Sequence, residues 1–130
     1  MNIVDIVKSY GRKTVVDSVS FEIPKGKVIS LIGPNGAGKS TVMGMISRLI
    51  AKDAGVIHFE GEDLSSWKNK ELAKHLAILT QHNNIQMKLT VRELVAFGRF
   101  PYSGSHLTRE DNEMVDKAID YMELWDFEAQ

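Results

Sequence analysis

Residues 33–41, "GPNGAGKST", place three glycines, one proline and one lysine in nine positions between two apolar runs. Gly33 to Ser40 match the spacing G-x-x-x-x-G-K-[ST] at every fixed position. Upstream, "VISLI" (28–32) is an unbroken apolar run, which predicts a strand covered on both faces. Downstream, Val42, Met45, Ile46, Leu49 and Ile50 recur at the spacing of one buried helix face. Strand, glycine loop and helix in that order are the context in which this spacing reads as a P-loop, a cradle for the phosphates of a nucleotide.

Each residue type has a chemical reason to be there. Gly36 and Gly38 let the backbone turn so that successive N–H groups face phosphate oxygens with no side chain between. Lys39 brings a full positive charge to the terminal phosphates, and the first turn of the helix adds its unpaired amides and the positive end of its dipole. Ser40 offers a hydroxyl to Mg²⁺, an ion that keeps most of its waters and takes few protein ligands. A merely tight strand-to-helix turn would need neither Lys39 nor Ser40.

The 130 residues fit one domain. Sixteen basic residues face 17 acidic ones, so the overall field gives no reason to expect a nucleic acid partner. There is no cysteine, which excludes a disulfide scaffold and a thiolate metal site. The histidines, His58, His75, His82 and His106, show no metal-ligand spacing. No apolar run is long enough to span a bilayer, and the start "MNIVDIVKSYGRKTVVD" lacks the pattern of a signal peptide, so a cytosolic chain is expected.

The remaining elements read as follows. Alternation in "VSFEI" predicts a half-buried strand with Val19, Phe21 and Ile23 on one face, antiparallel to a strand around Ile3 to Val7. A short strand is expected over Val56 to Phe59 with a turn at Gly61, then a helix in "WKNKELAKH" and a strand in "LAILT" (76–80). Two capped helices should finish the chain: Thr90 and Glu93 have capping-box spacing, and Thr108 and Asp111 suggest a related cap. Met114, Val115, Ala118, Ile119 and Met122 form the apolar stripe of the last helix. Within "FGRFPYSG", Arg99 is expected to serve a helix dipole, Pro101 to stop the helix and Gly104 to turn the chain.

A P-loop alone does not choose between kinases, GTPases, recombination ATPases and transport ATPases. The loop, with "VSFEIPKGKVISLI" before it and "LAILTQ" after it, resembles the ATP-binding subunits of ABC transporters over almost the whole chain. That resemblance implies an α/β fold of the P-loop NTPase class, the ABC ATPase fold, with N-terminal antiparallel strands, a P-loop strand and helix, and the start of a helical subdomain. Residues 1–130 would be a partial ABC ATPase domain, with about 1–86 in the catalytic subdomain and about 87–130 in the helical one. The cofactors implied are ATP and Mg²⁺, held by Gly33, Pro34, Asn35, Gly36, Ala37, Gly38, Lys39, Ser40 and Thr41, with Lys39 and Gln81 catalytic and Ser40 and Gln81 on the metal. Tyr10 matches the aromatic that stacks on adenine; without the resemblance it would read as a packing residue at a strand end. Thr41 would donate to a phosphate nearer the base.

The wording "LTVRELVAFGRFPYSG" (89–104) is similar to importers of iron siderophores, haem and vitamin B12. The implied partners are transmembrane permease subunits, a second copy of the ATPase subunit and, indirectly, an extracytoplasmic binding protein, with no nucleic acid. The implied location is cytoplasmic, on the inner face of the cell membrane. The family's LSGGQ-type signature, its apolar strand ending in Asp with a catalytic Glu, and its switch histidine have no match in these 130 residues. The sequence therefore reads as the N-terminal portion of a longer subunit, truncated before the signature and Walker B. It is expected to bind ATP, to hydrolyse it poorly, and to leave "VISLI" with an unpaired edge. Two alternatives stay open: a catalytically inactive ATP-binding fragment, and a soluble ABC-type ATPase acting on nucleic acid or ribosomes.

Overall fold

The computed structural model describes residues 1–79 and 88–127. The chain divides into two compact units, Met1–Lys68 and Asn69–Gln130.

The first unit is built on four strands, β1 (Asn2–Tyr10), β2 (Lys13–Glu22), β3 (Ala54–Phe59) and β4 (Glu62–Asp63). They form one antiparallel sheet in the order β2-β1-β3-β4. The hairpin expected from "VSFEI" is present and longer than the alternation suggested, closing on the pair Tyr10 and Lys13 around Gly11 at φ 61. Strict alternation fails in β1, where Ile3 and Ile6 are both buried. The ladder gives the reason: Ile3 pairs with Phe21 and Ile6 with Val19, so β1 carries one extra residue, a bulge that turns Ile6 back to the core. Asp5 sits in the bulge at φ 50, and its amide and carboxylate are both bonded to the Ser20 hydroxyl, at 2.8 and 3.0 Å. On the other side the bulge presses against Gly55, at φ 89, where a Cβ would run into the Asp5 carbonyl.

Helix α1 (Lys39–Ile46) follows the glycine loop and buries Val42, Met45 and Ile46. It stops sooner than the apolar spacing predicts. Arg48 adopts φ 61, and the amides of Leu49 and Ile50 both return to the Gly44 carbonyl, at 2.9 and 3.0 Å. This closure leaves Leu49 exposed and folds Ile50 back over Gly44, the one helical position here with no Cβ to obstruct it. The Arg48 guanidinium then donates to the carbonyls of Leu64 and Trp67, tying the helix end to the 3-10 turn Leu64–Ser66.

The second unit contains α2 (Asn69–Ala73), α3 (Val91–Ala96), α4 (Phe100–Ser103) and α5 (Arg109–Tyr121). Both expected caps are formed, each as a capping box, by Thr90 with Glu93 and by Thr108 with Asp111. Val115 and Ile119 of the α5 stripe are buried, whereas Met114 and Met122 are exposed. Pro101 does not end a helix: a 3-10 turn, Phe97–Arg99, joins α3 to α4, and Pro101 sits in the first turn of α4, where its missing N–H costs nothing. Arg99 pairs with Asp111 at 2.7 Å and lies 3.8 Å from the centre of the Tyr102 ring, so a carboxylate and a ring engage it. Gly104, at φ 64, turns the chain as expected.

Two expected strands are absent. Residues 28–32 have no ladder, and Val28 and Ile32 are 94% and 93% exposed. A strand covered on both faces needs partners along its edges, and among the described residues the one sheet is antiparallel and pairs with none of this segment. Leu76–Leu79 of "LAILT" is likewise not a strand, with Leu79 exposed, while Thr80 lies outside the described residues. Among the described residues, no helix is long and apolar enough to cross a membrane.

Candidate functional site

Gly38 is the residue on which the site turns. It caps α1 at φ 91, a left-handed conformation closed to most side chains, and a Cβ there would lie 3.0 Å from the Val15 carbonyl oxygen. The glycine therefore sets both the direction of the helix start and its close approach to β2. Gly36, at φ 86, has open space around it and supplies the turn alone. Gly38 offers no side-chain cap, and no acidic residue occupies the first turn of α1. The amide end of the helix thus keeps its affinity for an anion.

A cavity of about 400 Å³ opens at this helix start, lined by Asn35, Gly36, Gly38, Lys39, Ser40 and Thr41 of the loop and by Lys13 and Val15 of β2. Gly33, Pro34 and Ala37 are not among its lining residues; they shape the loop, the Ala37 amide donating to the Pro34 carbonyl at 3.2 Å. The Lys39 ammonium donates to the Gly33 carbonyl, curling the side chain back over the loop. A neutral carbonyl is a weaker acceptor than a phosphate oxygen, so this contact yields to an anionic ligand. The lining holds two lysines, two hydroxyls and no carboxylate. Such a set suits a polyanion, and it suits Mg²⁺ only as an ion arriving on phosphates with its own waters, for which Ser40 is the available hydroxyl. Among the described residues, no group of three or more His, Cys, Asp or Glu could hold a metal.

Tyr10 ends β1 as the partner of Lys13, which lines the cavity. The residue is 52% exposed, with the Lys8 ammonium 5.2 Å from the ring centre. Lys8 is held by Asp53 at 3.5 Å. Asp53 in turn accepts the Ser9 amide at 2.7 Å, which, with Lys8 beside it, keeps its carboxyl below the ordinary range. One face of the Tyr10 ring therefore has a fixed cation over it, while much of its surface stays open to solvent. Gln81 lies outside the described residues.

Lys13 and Val15 were missed from the sequence. Their only signal is position: they follow the hairpin turn after Tyr10, and nothing in "KTVVD" (13–17) announces that the strand passes the glycine loop.

A P-loop cavity at the start of a helix, set beside an antiparallel sheet, has the features of a nucleotide-binding domain. The chain belongs to the ABC transporter family, whose model matches residues 16–130. It is 48% identical over 124 residues to the petrobactin import ATP-binding protein YclP of Bacillus subtilis (strain 168), covering 95% of this chain and 49% of that protein. It is 38% identical to the ferric enterobactin transport ATP-binding protein FepC of Escherichia coli (strain K12), covering 85% of this chain and 41% of that one. The chain thus spans about half the length of the curated relatives it matches. Its fold is that of a dimeric ATP-binding cassette solved in a post-hydrolysis state with ADP and Pi, at a TM-score of 0.80, 24% identity, and coverage of 99% of this chain and 60% of that one.

Proposed function

We propose that this chain is part of the ATP-binding subunit of an importer that couples ATP binding and hydrolysis to uptake of an iron-siderophore or related metal chelate through a membrane permease. The observation that carries the reading is the cavity lined by loop residues, two hydroxyls and two lysines, with no carboxylate, at the N-terminus of α1. The names of the relatives, which import petrobactin and transport ferric enterobactin, support the choice of cargo.

In this reading the loop amides from Asn35 to Ser40 cradle the phosphates and Lys39 neutralises the terminal ones. Thr41 donates to a phosphate nearer the base, and the Tyr10 ring stacks on adenine. Mg²⁺, when bound, neutralises phosphate charge; the family resemblance implies Ser40 and Gln81 as the residues that would hold it, and Gln81 as the one that would meet the attacking water. Residues 1–86 then act as the catalytic portion and 87–130 as the start of the helical one. The subunit works as a pair on the cytoplasmic face of the membrane, beneath permease subunits fed by a binding protein. By themselves the 130 residues bind Mg-ATP and turn it over near background, since they contain no signature sequence and no apolar strand ending in Asp.

The test is transport. Everted membrane vesicles holding the complete subunit and its permease, with the binding protein and ferric siderophore loaded inside, should release the siderophore only with ATP, and Lys39→Ala should stop it. Transport that persists in that variant, or a complete subunit that associates with no permease, would sink the reading.

A further inference from the structure

We propose that Lys13 is a second phosphate cation of the nucleotide site, delivered from the sheet rather than from the glycine loop. The inference rests on the nucleotide-binding reading above.

Lys13 is the first residue of β2, and its pairing with Tyr10 fixes its place in the hairpin. It lines the same cavity as Gly36, Gly38, Lys39 and Ser40. The approach is fixed by Gly38, whose missing Cβ allows the helix start to sit against the Val15 carbonyl two residues further along the strand. Among the described residues the Lys13 ammonium has no ion-pair partner, whereas Lys8, also on the hairpin, is committed to Asp53. Lys39 is committed to the Gly33 carbonyl. Lys13 thus brings the cavity a second positive charge with no acceptor among the described residues holding its side chain elsewhere, and no lining carboxylate competes for it.

The proposed place of the base indicates which phosphates Lys13 would serve. Lys39 opens α1 at the loop end of the cavity, while Lys13 stands on the strand that pairs with Tyr10, the residue assigned to the base. With the base on Tyr10, as proposed, a cation on its paired residue would meet the phosphates nearer the sugar. Losing it should therefore weaken ATP and ADP alike.

Equilibrium titration of the chain with Mg-ATP, Mg-ADP and adenosine tests this with Lys13→Met, Lys13→Arg and Lys39→Ala. Lys13→Met should weaken ATP and ADP equally, by roughly tenfold, the scale of one charge-assisted contact. It should leave adenosine binding and the thermal midpoint unchanged, and Lys13→Arg should restore the affinity to within about threefold. Raising the salt concentration should narrow the gap between Lys13→Met and the parent. If Lys13→Met binds ATP as the parent does while Lys39→Ala binds poorly, the inference falls and the nucleotide-site reading stands. If the parent binds no nucleotide, both fall. If Lys13→Met also lowers the midpoint and adenosine affinity, the residue is structural and the inference is overturned.

Discussion

The three glycines at positions 36, 38 and 55 all have positive φ, yet they are not equivalent. A Cβ at Gly36 would meet nothing within 4 Å, so Gly36→Ala faces only the left-handed backbone penalty, about 1–2 kcal/mol. Gly38→Ala adds a contact 3.0 Å from the Val15 carbonyl and should cost roughly 1–3 kcal/mol, with nucleotide affinity falling as the loop moves. Gly55→Ala is the most severe, because its Cβ would meet the Asp5 carbonyl and lie 2.6 Å from the Ile6 Cα, backbone that cannot yield cheaply. A loss of roughly 3 kcal/mol or more is expected there. Urea unfolding of the three variants should rank them in that order, and equal midpoints would refute the argument. The sequence announces Gly36 and Gly38 because their motif is local. It hides Gly55, whose need arises from a bulge in a strand some fifty residues away, and Lys13, whose role depends on which loop the strand passes.

At the scale of elements, α5 shows what holds a short unit together. Asp111 is 1% exposed and closes the capping box with Thr108 while receiving Arg99. The Ser103 hydroxyl, the Thr108 amide and the Arg99 guanidinium hold its carboxyl well below the usual carboxylate range. Folding thus favours the ionised form, so its contribution is whole above the ordinary value of 3.8 and is lost as the pH falls below it. Stability of the parent and of Asp111→Asn should therefore converge as the pH drops from 4 toward 2, and parallel curves would contradict the assignment. Thr108→Ala should cost about 1 kcal/mol by the same unfolding assay, and a change below a few tenths would mean that the cap does not stabilise the helix. Both caps are legible because a capping box is written within four residues. "VISLI" is misread for the opposite reason: apolarity reports that a strand wants cover, not that a partner stands beside it. Val28 and Ile32 forgo roughly 1.5–3 kcal/mol each of burial in consequence.

Over the whole molecule, an antiparallel sheet and a glycine loop make one unit and a set of short helices makes another, in a chain about half as long as its relatives. The family was legible because its decisive residues lie in short unbroken stretches: the loop, the run before it and, further along, "LAILTQ". The role of Tyr10 is a matter of assembly, since its ring faces Lys8 and its use depends on what stacks on the remaining surface. Tyr10→Ala should lose discrimination between ATP and GTP while keeping affinity for tripolyphosphate, and unchanged base preference would remove Tyr10 from the site. At the centre of the proposed function, residues 33–41 hold the triphosphate of Mg-ATP. Calorimetric titration of Mg-ATP into the chain and into Lys39→Ala tests it most directly. Saturable binding at one site per chain, weakened more than about tenfold in a variant that remains folded, is the predicted result. Binding that is absent in the parent, or undiminished without Lys39, would contradict it.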